Sequence, residues 1–371
     1  MATVYYYSQA SGDNDGTSEA NAYQDLQTAL DALSAGDHLY CKRHSSREGV
    51  KTTNLTLSTN SNTDDGNTIV EGYQTTPGDG GMYQTASPIS FAGEGIEVRY
   101  FDVDADGDGT TAFAIFGDGS VAYRCKAVNS YAFGNVFSIT DGAAIECFAQ
   151  GTVTSAGDQV FNCNRGTMVN CVVVIDAASG SAGAAIESSA SFRHNQIINC
   201  LIVNEDGAES HVGIRVTGTA SFAQTYINNT IYNFDTGIEF VEGIANARMA
   251  TPVVIYGNLI YSVAKGIKFT GNTTSDTFGI NAFQNAFGAV TSAQSDTIAS
   301  IVDSITLTEN PFIDLVNFQL NNAPGGGALV KGKLGIPDPK DPSKLTSLVR
   351  TDFQSSGGVA PNPVGEVSRS F

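Results

Sequence analysis

The chain has 371 residues, 41% of them hydrophobic, which is enough to bury a core; only 15% are charged, 40 are glycine and tryptophan is absent. Its 19 Lys and Arg stand against 38 Asp and Glu, for a formal charge of -19, so a partner held through basic side chains on phosphates is excluded and no nucleic acid is expected. No apolar run approaches the roughly 20 residues of a membrane-spanning helix; Val172-Val173-Val174-Ile175 is about the longest, so no membrane partner is expected either.

The N-terminus runs from Met1-Ala2-Thr3 straight into Val4-Tyr5-Tyr6-Tyr7, without a basic region or an apolar stretch, so the expectation is folding in a cytosol with no secretion signal. A strand through Tyr6-Tyr7-Ser8 is followed by a Gly/Asp loop at residues 12–18 and a helix. Asn21 is the expected N-cap of that helix, and Leu26, Ala29, Leu30 and Leu33 form its apolar stripe. After the Gly36-Asp37 turn, Leu39-Tyr40 opens the first core strand.

A repeat dominates the middle of the chain. Val169-Asn170-Cys171, Ile198-Asn199-Cys200, Ile227-Asn228-Asn229 and Tyr256-Gly257-Asn258 align, with positions 171, 200, 229 and 258 each separated by 29. A second series, Ile186, Ile214, Ile238 and Ile267, follows at spacings of 28, 24 and 29, and upstream Cys125, Cys147 and Cys171 are spaced 22 and 24. Each unit holds two or three short strands bounded by Gly, Asn, Asp and Ser, too short for helices. Such units bury an apolar face only by stacking in parallel. The polar residues Asn170, Asn199, Asn228 or Asn229, and Asn258 are expected to bond from coil to coil. Cys41, Cys125, Cys147, Cys163, Cys171 and Cys200 contain no CxxC pair, so reduced core thiols are expected, with a disulfide framework as the alternative. The recurring Cys125, Cys147, Cys171 and Cys200 read as small inward-facing fillers.

Near the C-terminus come Asn310-Pro311-Phe312-Ile313-Asp314, Asn317-Phe318-Gln319-Leu320 and Pro324-Gly325-Gly326-Gly327-Ala328-Leu329, with a final strand at Pro363-Val364-Gly365-Glu366-Val367. With the N-terminal strand, loop, capping helix and Gly-Asp turn, these segments resemble the right-handed parallel β-helix proteins of the pectate-lyase-like superfamily, over nearly the whole chain. The resemblance is greatest to bacteriophage tailspike-like surface proteins. It implies an all-β solenoid of single-stranded coils with a short N-terminal capping helix and an irregular closing region. The expected divisions are a cap over residues 1–45, coils over 46–290 and a closing segment and tail over 291–371. Pro337 to Ser343 reads as an extended stretch and Ser355 to Phe371 as a docking arm.

This fold carries lyases, hydrolases, epimerases, adhesins and phage spikes, so function is sought in a site. Asp102, Asp104, Asp106 and Asp108 alternate like the first half of a calcium loop, but the twelfth position is Phe113 where a bidentate Glu is needed. Calcium is therefore a candidate cofactor held by those four, against a solvated acidic turn with Val103 and Ala105 facing inward. Glu187 and Glu239 follow equivalent Ile residues and are candidate catalytic carboxylates. Arg215 and Lys268 occupy the same column, so an ion-pair ladder is the favoured reading. Asp64-Asp65 reads as a solvated tip. His211, near Glu205, Asp206 and Glu209, is a candidate proton-transfer group, and Arg193-His194 is the nearest basic pair. Both histidines read first as surface residues in polar loops. Phe116, Phe137, Phe161, Phe192 and Phe222 read as core. The hydrolase motifs of the superfamily are absent from the central coils, and no Ser-His-Asp order, phosphate loop or zinc spacing stands out.

The leading expectation is a non-enzymatic structural protein of a bacteriophage virion surface, either a capsid decoration or a tailspike-like component assembled in the host cytoplasm. The resemblance implies a homotrimer, with capsid or tail proteins as partners. The alternative is a polysaccharide-degrading lyase or glycoside hydrolase with a surface polysaccharide as its substrate; an adhesin would need an export signal.

Overall fold

The computed structural model describes residues 2–44, 67–86, 88–105, 111–129, 134–178, 183–189, 194–205, 210–217, 224–241, 253–269, 280–295, 301–315 and 318–333. The chain winds into a right-handed parallel β-helix in which every strand pairing is parallel and each strand bonds its counterpart in the next coil. Three ladders run its length. The first begins at Thr3–Tyr6, His38–Lys42, Thr68–Tyr73 and Ile96–Arg99. It continues through the ends of Phe113–Tyr123 and Asn135–Ile145 to Thr167–Val169, Asn195–Ile198, Gln224–Ile227, Val253–Tyr256, Ile280–Phe283 and Ile301–Val302. The second runs from Tyr83–Thr85 through Phe101–Asp104, Lys126–Asn129, Phe148–Val153, Val172–Ala178 and Leu201–Asn204 to Ile305–Leu307. The third includes Ile89–Ala92, Gln159–Asn164, Ala184–Ser189 and Val212–Thr217.

The corner between the first and second ladders is a single residue. Tyr100, Arg124, Glu146, Asn170, Asn199, Asn228, Gly257, Gln284 and Asp303 occupy it in successive coils, all with φ between 51° and 66°. This left-handed conformation costs most side chains roughly 1–2 kcal/mol and Asn less, which explains the Asn run at 170, 199 and 228. The residue after the corner points inward, and the expected single ladder is two. Asn199 Nδ2 donates to Asn170 Oδ1 at 2.6 Å on the outside. Inside, Cys125, Cys147, Cys171 and Cys200 are succeeded by Asn229, Asn258 and Asn285. Asn258 thus belongs with Asn229, and its corner neighbour is Gly257 in place of a further Asn.

All six cysteines are buried free thiols. Cys147 and Cys171 donate to Ala122 O and Ala144 O, each at 3.4 Å, so the thiols fill the corner and satisfy carbonyls of the preceding coil. On the third ladder Phe91, Phe113, Phe137 and Phe161 stack along the axis with centroids 6.1, 4.7 and 4.6 Å apart. Phe116 departs from the expectation: it is 39% exposed, because the strand bends out of alternation at Gly117, whose φ is 139°. Phe192 and Phe222 lie outside the described residues.

Helix α1 (Leu26–Asp31) buries Leu26, Ala29 and Leu30 against the first coil. Its N-cap is Asp25, which accepts from Thr28 N at 2.8 Å; Asn21 instead accepts from Asp13 N in the preceding loop. At the other end the chain folds back. Phe312, Phe318, Leu320 and Val330 of helix α2 (Gly327–Lys333) join Phe148, Val172, Leu201, Leu259 and Ile305 in a second apolar cluster on the outer face of the second ladder. Tyr232 meets Phe318 edge-on at 5.3 Å in that cluster. Pro337 to Ser343 and the arm from Ser355 to Phe371 lie outside the described residues, as does Pro363 to Val367.

Candidate functional site

A cleft of about 450 Å³ opens where the third ladder turns into the first, spanning successive coils at Asp118, Asp141, Arg165 and His194. Its shape follows from the backbone. Asp141 and Arg165 sit at equivalent corner positions with φ of 60° and 54°, which throws both side chains outward. Arg165 Nη2 then reaches Asp141 Oδ2 at 2.6 Å across the coil boundary. The floor is closed by small residues. Ser120 Oγ donates to Gly93 O at 2.8 Å and accepts from Ile96 N at 3.2 Å. A Cβ on Gly142 would stand 2.5 Å from Ser120 O, so the strand register requires glycine there. Thr167 adds a hydroxyl, and Val121 and Ala143 an apolar wall. The cleft can hydrogen-bond a polar ligand and offers an exposed imidazole as a proton-transfer group.

Of the residues singled out in the sequence, only His194 lines this cleft, and Arg193 lies outside the described residues. Asp118, Asp141 and Arg165 were missed. Their signal was a side chain followed by glycine, Asp118-Gly119, Asp141-Gly142 and Arg165-Gly166, at spacings of 23 and 24.

The structure brings Glu187, Arg215, Glu239 and Lys268 into one register column on the third ladder. Glu239, only 7% exposed, receives Lys268 Nζ at 2.8 Å and Arg215 Nε at 3.4 Å. Glu187 accepts from Thr217 Oγ1 at 3.2 Å. The Arg215 coil separates the two glutamates, placing their backbones about 9.6 Å apart at ~4.8 Å per coil. Arg215 is held further by Ala156 O at 2.9 Å. That loop is braced by Asp158, which accepts from Thr154 N and Ser155 N at 3.0 and 2.6 Å. Burial opposes the charge on Asp158, but these donors outweigh it and lower the pKa.

His211 is a correction. It is fully buried at the foot of Val212–Thr217, and its carbonyl accepts from Asp235 N and Thr236 N of the next coil at 3.0 and 3.3 Å. Glu205 is exposed, whereas Asp206 and Glu209 lie outside the described residues. Asp102 is only 4% exposed, with Gln84 Nε2 donating to its Oδ2 at 2.9 Å, while Val103 and Ala105 face the core. Asp106, Asp108, Asp64 and Asp65 lie outside the described residues. Among the described residues no group of three or more His, Cys, Asp or Glu is placed to hold a metal. Asp141 is engaged by Arg165, so the cleft is not a ready calcium site.

No family model matches the chain, and no curated protein matches it. Solved structures do. The pectate lyase Pel9A superposes with a TM-score of 0.55 at 12% identity, covering 100% of this chain and 96% of that one. A rhamnogalacturonan lyase gives 0.50 at 14% identity, covering 88% and 94%. ORF18 of Geobacillus virus E2 gives 0.41 at 11% identity, covering 86% of this chain and 63% of its own. At these identities the likeness to the two lyases establishes the fold alone, a parallel β-helix. Among the described residues, no helix is long and apolar enough to cross a membrane.

Proposed function

We propose that the chain is a non-enzymatic structural protein of a virion surface, a capsid decoration or a tailspike-like component bound to capsid or tail proteins. The observation that carries this reading is how its charges are used. Arg99 on Glu71, Arg124 on Glu146, Arg165 on Asp141, and Arg215 and Lys268 on Glu239 each join one coil to the next. Groups that could act as bases or electrophiles in a lyase serve here as clamps along a rigid column. Capped by α1 at one end and by a folded-back segment at the other, such a column resists unfolding.

The test is quantitative mass spectrometry of purified particles. Hundreds of copies per particle identify a capsid decoration, and a dozen to a few tens a vertex or tail spike. Absence from particles overturns the proposal.

A second reading, a polysaccharide-degrading enzyme, is favoured by the cleft, where His194, Asp118 and Thr167 face one space. The two neighbours above, a pectate lyase and a rhamnogalacturonan lyase, carry that class of activity on this fold. Its test is incubation with acidic polysaccharides, with and without calcium. An ultraviolet-absorbing unsaturated product that disappears in His194→Ala would establish it, and no product in either condition would dismiss a lyase.

A further inference from the structure

We propose that the cleft between Asp118 and His194 binds a neutral saccharide, with one pyranose ring stacked on Phe116 and its hydroxyls shared between Asp118 and the Asp141–Arg165 pair. Such binding requires neither a virion nor a cleavage step, and so goes beyond both functions given above.

The cleft exists because the corners of successive coils differ in length. Between the third and first ladders the chain uses three residues in two successive coils, Gly93-Glu94-Gly95 and Gly117-Asp118-Gly119, with Ala92 paired to Phe116 and Glu97 to Val121 across them. In the next coil one residue suffices. Phe116 pairs with Thr140 and Ser120 with Gly142, so Asp141 alone stands opposite Gly117-Asp118-Gly119, and Arg165 follows in the same place. His194, two residues before the Gln196 that pairs with Thr167, forms the far wall. The long corner therefore overhangs two short ones, over three coil steps or about 14 Å at ~4.8 Å each. Its volume of about 450 Å³ lies in the range of small-molecule sites.

The overhang is fixed in the backbone. Gly117 has φ of 139°, and a Cβ there would stand 1.8 Å from Gly93 O, so the bend is specific to glycine. That bend turns Asp118 and Phe116 out to solvent, and no other described Phe or Tyr side chain is as exposed as Phe116. An apolar ring at the lip of a polar cleft suits a ligand that is apolar on its face and polar at its edge. A pyranose has that construction, with C–H groups on its faces and hydroxyls around its rim.

Charge selects the class of saccharide. Among the described residues lining the cleft, Arg165 is the one permanent cation, and Asp141 already holds it at 2.6 Å. A uronate would meet Asp118 and Asp141 with no further cation to receive it, in a molecule of net charge -19. Hydroxyls escape this repulsion, because they donate to carboxylates and accept from a guanidinium.

The full chain is applied to an array of neutral and uronate-bearing oligosaccharides, and the strongest neutral binder is titrated by calorimetry. Phe116→Ala and Asp118→Ala are compared with the wild type and with a charge-matched control in the exposed N-terminal loop, Asp15→Ala. The expected result is binding of neutral oligosaccharides and none of uronate-bearing ones. Asp118→Ala should weaken the Kd at least about tenfold and Phe116→Ala about threefold or more. Asp15→Ala should leave it unchanged, with the same circular dichroism throughout. Absence of any neutral binder overturns the proposal, as does a preference for uronate-bearing oligosaccharides or a Kd that Asp118→Ala does not move. If Phe116→Ala loses its β signal, Asp118→Ala, at an exposed tip, decides alone. The array reads binding only: absence from particles leaves it standing, and so does the lack of an unsaturated product.

Discussion

Asn258 holds Asn229 by two bonds: its Oδ1 accepts the backbone N–H of Asn229 at 2.9 Å and the Asn229 side-chain amide at 3.0 Å. Its own Nδ2 donates to Tyr226 O and to Asn285 Oδ1, both at 2.9 Å. Asn258 is fully buried; without its side chain the backbone N–H of Asn229 loses this partner, while the Asn229 amide keeps Ile197 O and Asn285 Oδ1 keeps the N–H of residue 258. Asn258→Ala is expected to cost about 3 kcal/mol, the sum of a cavity and a buried donor left without its partner. Urea unfolding checks this; a loss below about 1 kcal/mol would mean the ladder is incidental.

The same geometry predicts a substitution that is tolerated. Cys200 N already donates to Asn229 Oδ1 at 2.9 Å, and Asn229 Nδ2 reaches Ile197 O at 2.9 Å. An Asn at position 200 would occupy the equivalent corner one coil earlier, with Met168 O in place of Ile197 O. Cys200→Asn is therefore expected to change stability by no more than about 1 kcal/mol, whereas Cys200→Leu should destabilise by overpacking.

Glu239 offers a different test, because it is a buried carboxylate holding two cations from adjacent coils. Glu239→Ala should cost about 3 kcal/mol by leaving Arg215 and Lys268 without their shared partner. Glu187→Gln, at a carboxylate that accepts a hydrogen bond from the Thr217 hydroxyl, should cost less than about 0.5 kcal/mol. Equal effects at the two sites, read by thermal unfolding, would dismiss the clamp.

How far this was legible depends on which residues are local in effect. The spacing of 29 at 171, 200, 229 and 258 exposed the inner ladder because each position fills the same corner with a small polar group. The pair Asn228-Asn229 hid the division into two ladders, since only φ separates the left-handed corner from the inward position. The column from Glu187 to Lys268 could be read from its equivalent Ile neighbours. His211 could not: it is fully buried although it follows polar sequence, and its carbonyl bonds Asp235 and Thr236 of the next coil, 24 and 25 residues on. The cleft was illegible for a related reason, because a left-handed Asp141 and Arg165 turn their side chains out of the strand alternation.

Asp79 predicts an acid-sensitive loop. It accepts from the amides of Gln74, Thr75, Thr76 and Gly81 at 3.1, 2.6, 3.1 and 2.8 Å. Partial desolvation pushes its pKa up, but the four donors prevail and hold it at about 2, below the ordinary 3.8. A carboxylate depressed in the folded state stabilises it fully above 3.8, and that contribution is lost as pH falls through about 2. Hydrogen exchange at Thr75 and Thr76 should accelerate over that window, and Asp79→Asn should remove the pH dependence. A titration midpoint for Asp79 near 3.8 would falsify the four-donor cage.

Four of the six thiols shift with the opposite sign. Burial raises the pKa of Cys41, Cys147 and Cys200 well above the usual thiol value of 9.0 and pushes Cys163 up to about 12. At Cys41, Cys147, Cys163 and Cys200 the folded state therefore favours the neutral thiol. That stability is complete below 9.0 and is lost as pH rises toward the folded values. Two consequences follow from the same burial. At about pH 8 an alkylating reagent should leave the native protein unmodified, because all six thiols are buried out of its reach, and should modify six residues after denaturation. Midpoints of urea unfolding should fall between pH 9.0 and about 12, and replacing Cys163 with Ala should flatten that decline in proportion to its share. Rapid alkylation of the native chain would mean that the coils open locally at the corner, and that the thiols are exposed on the timescale of the reaction.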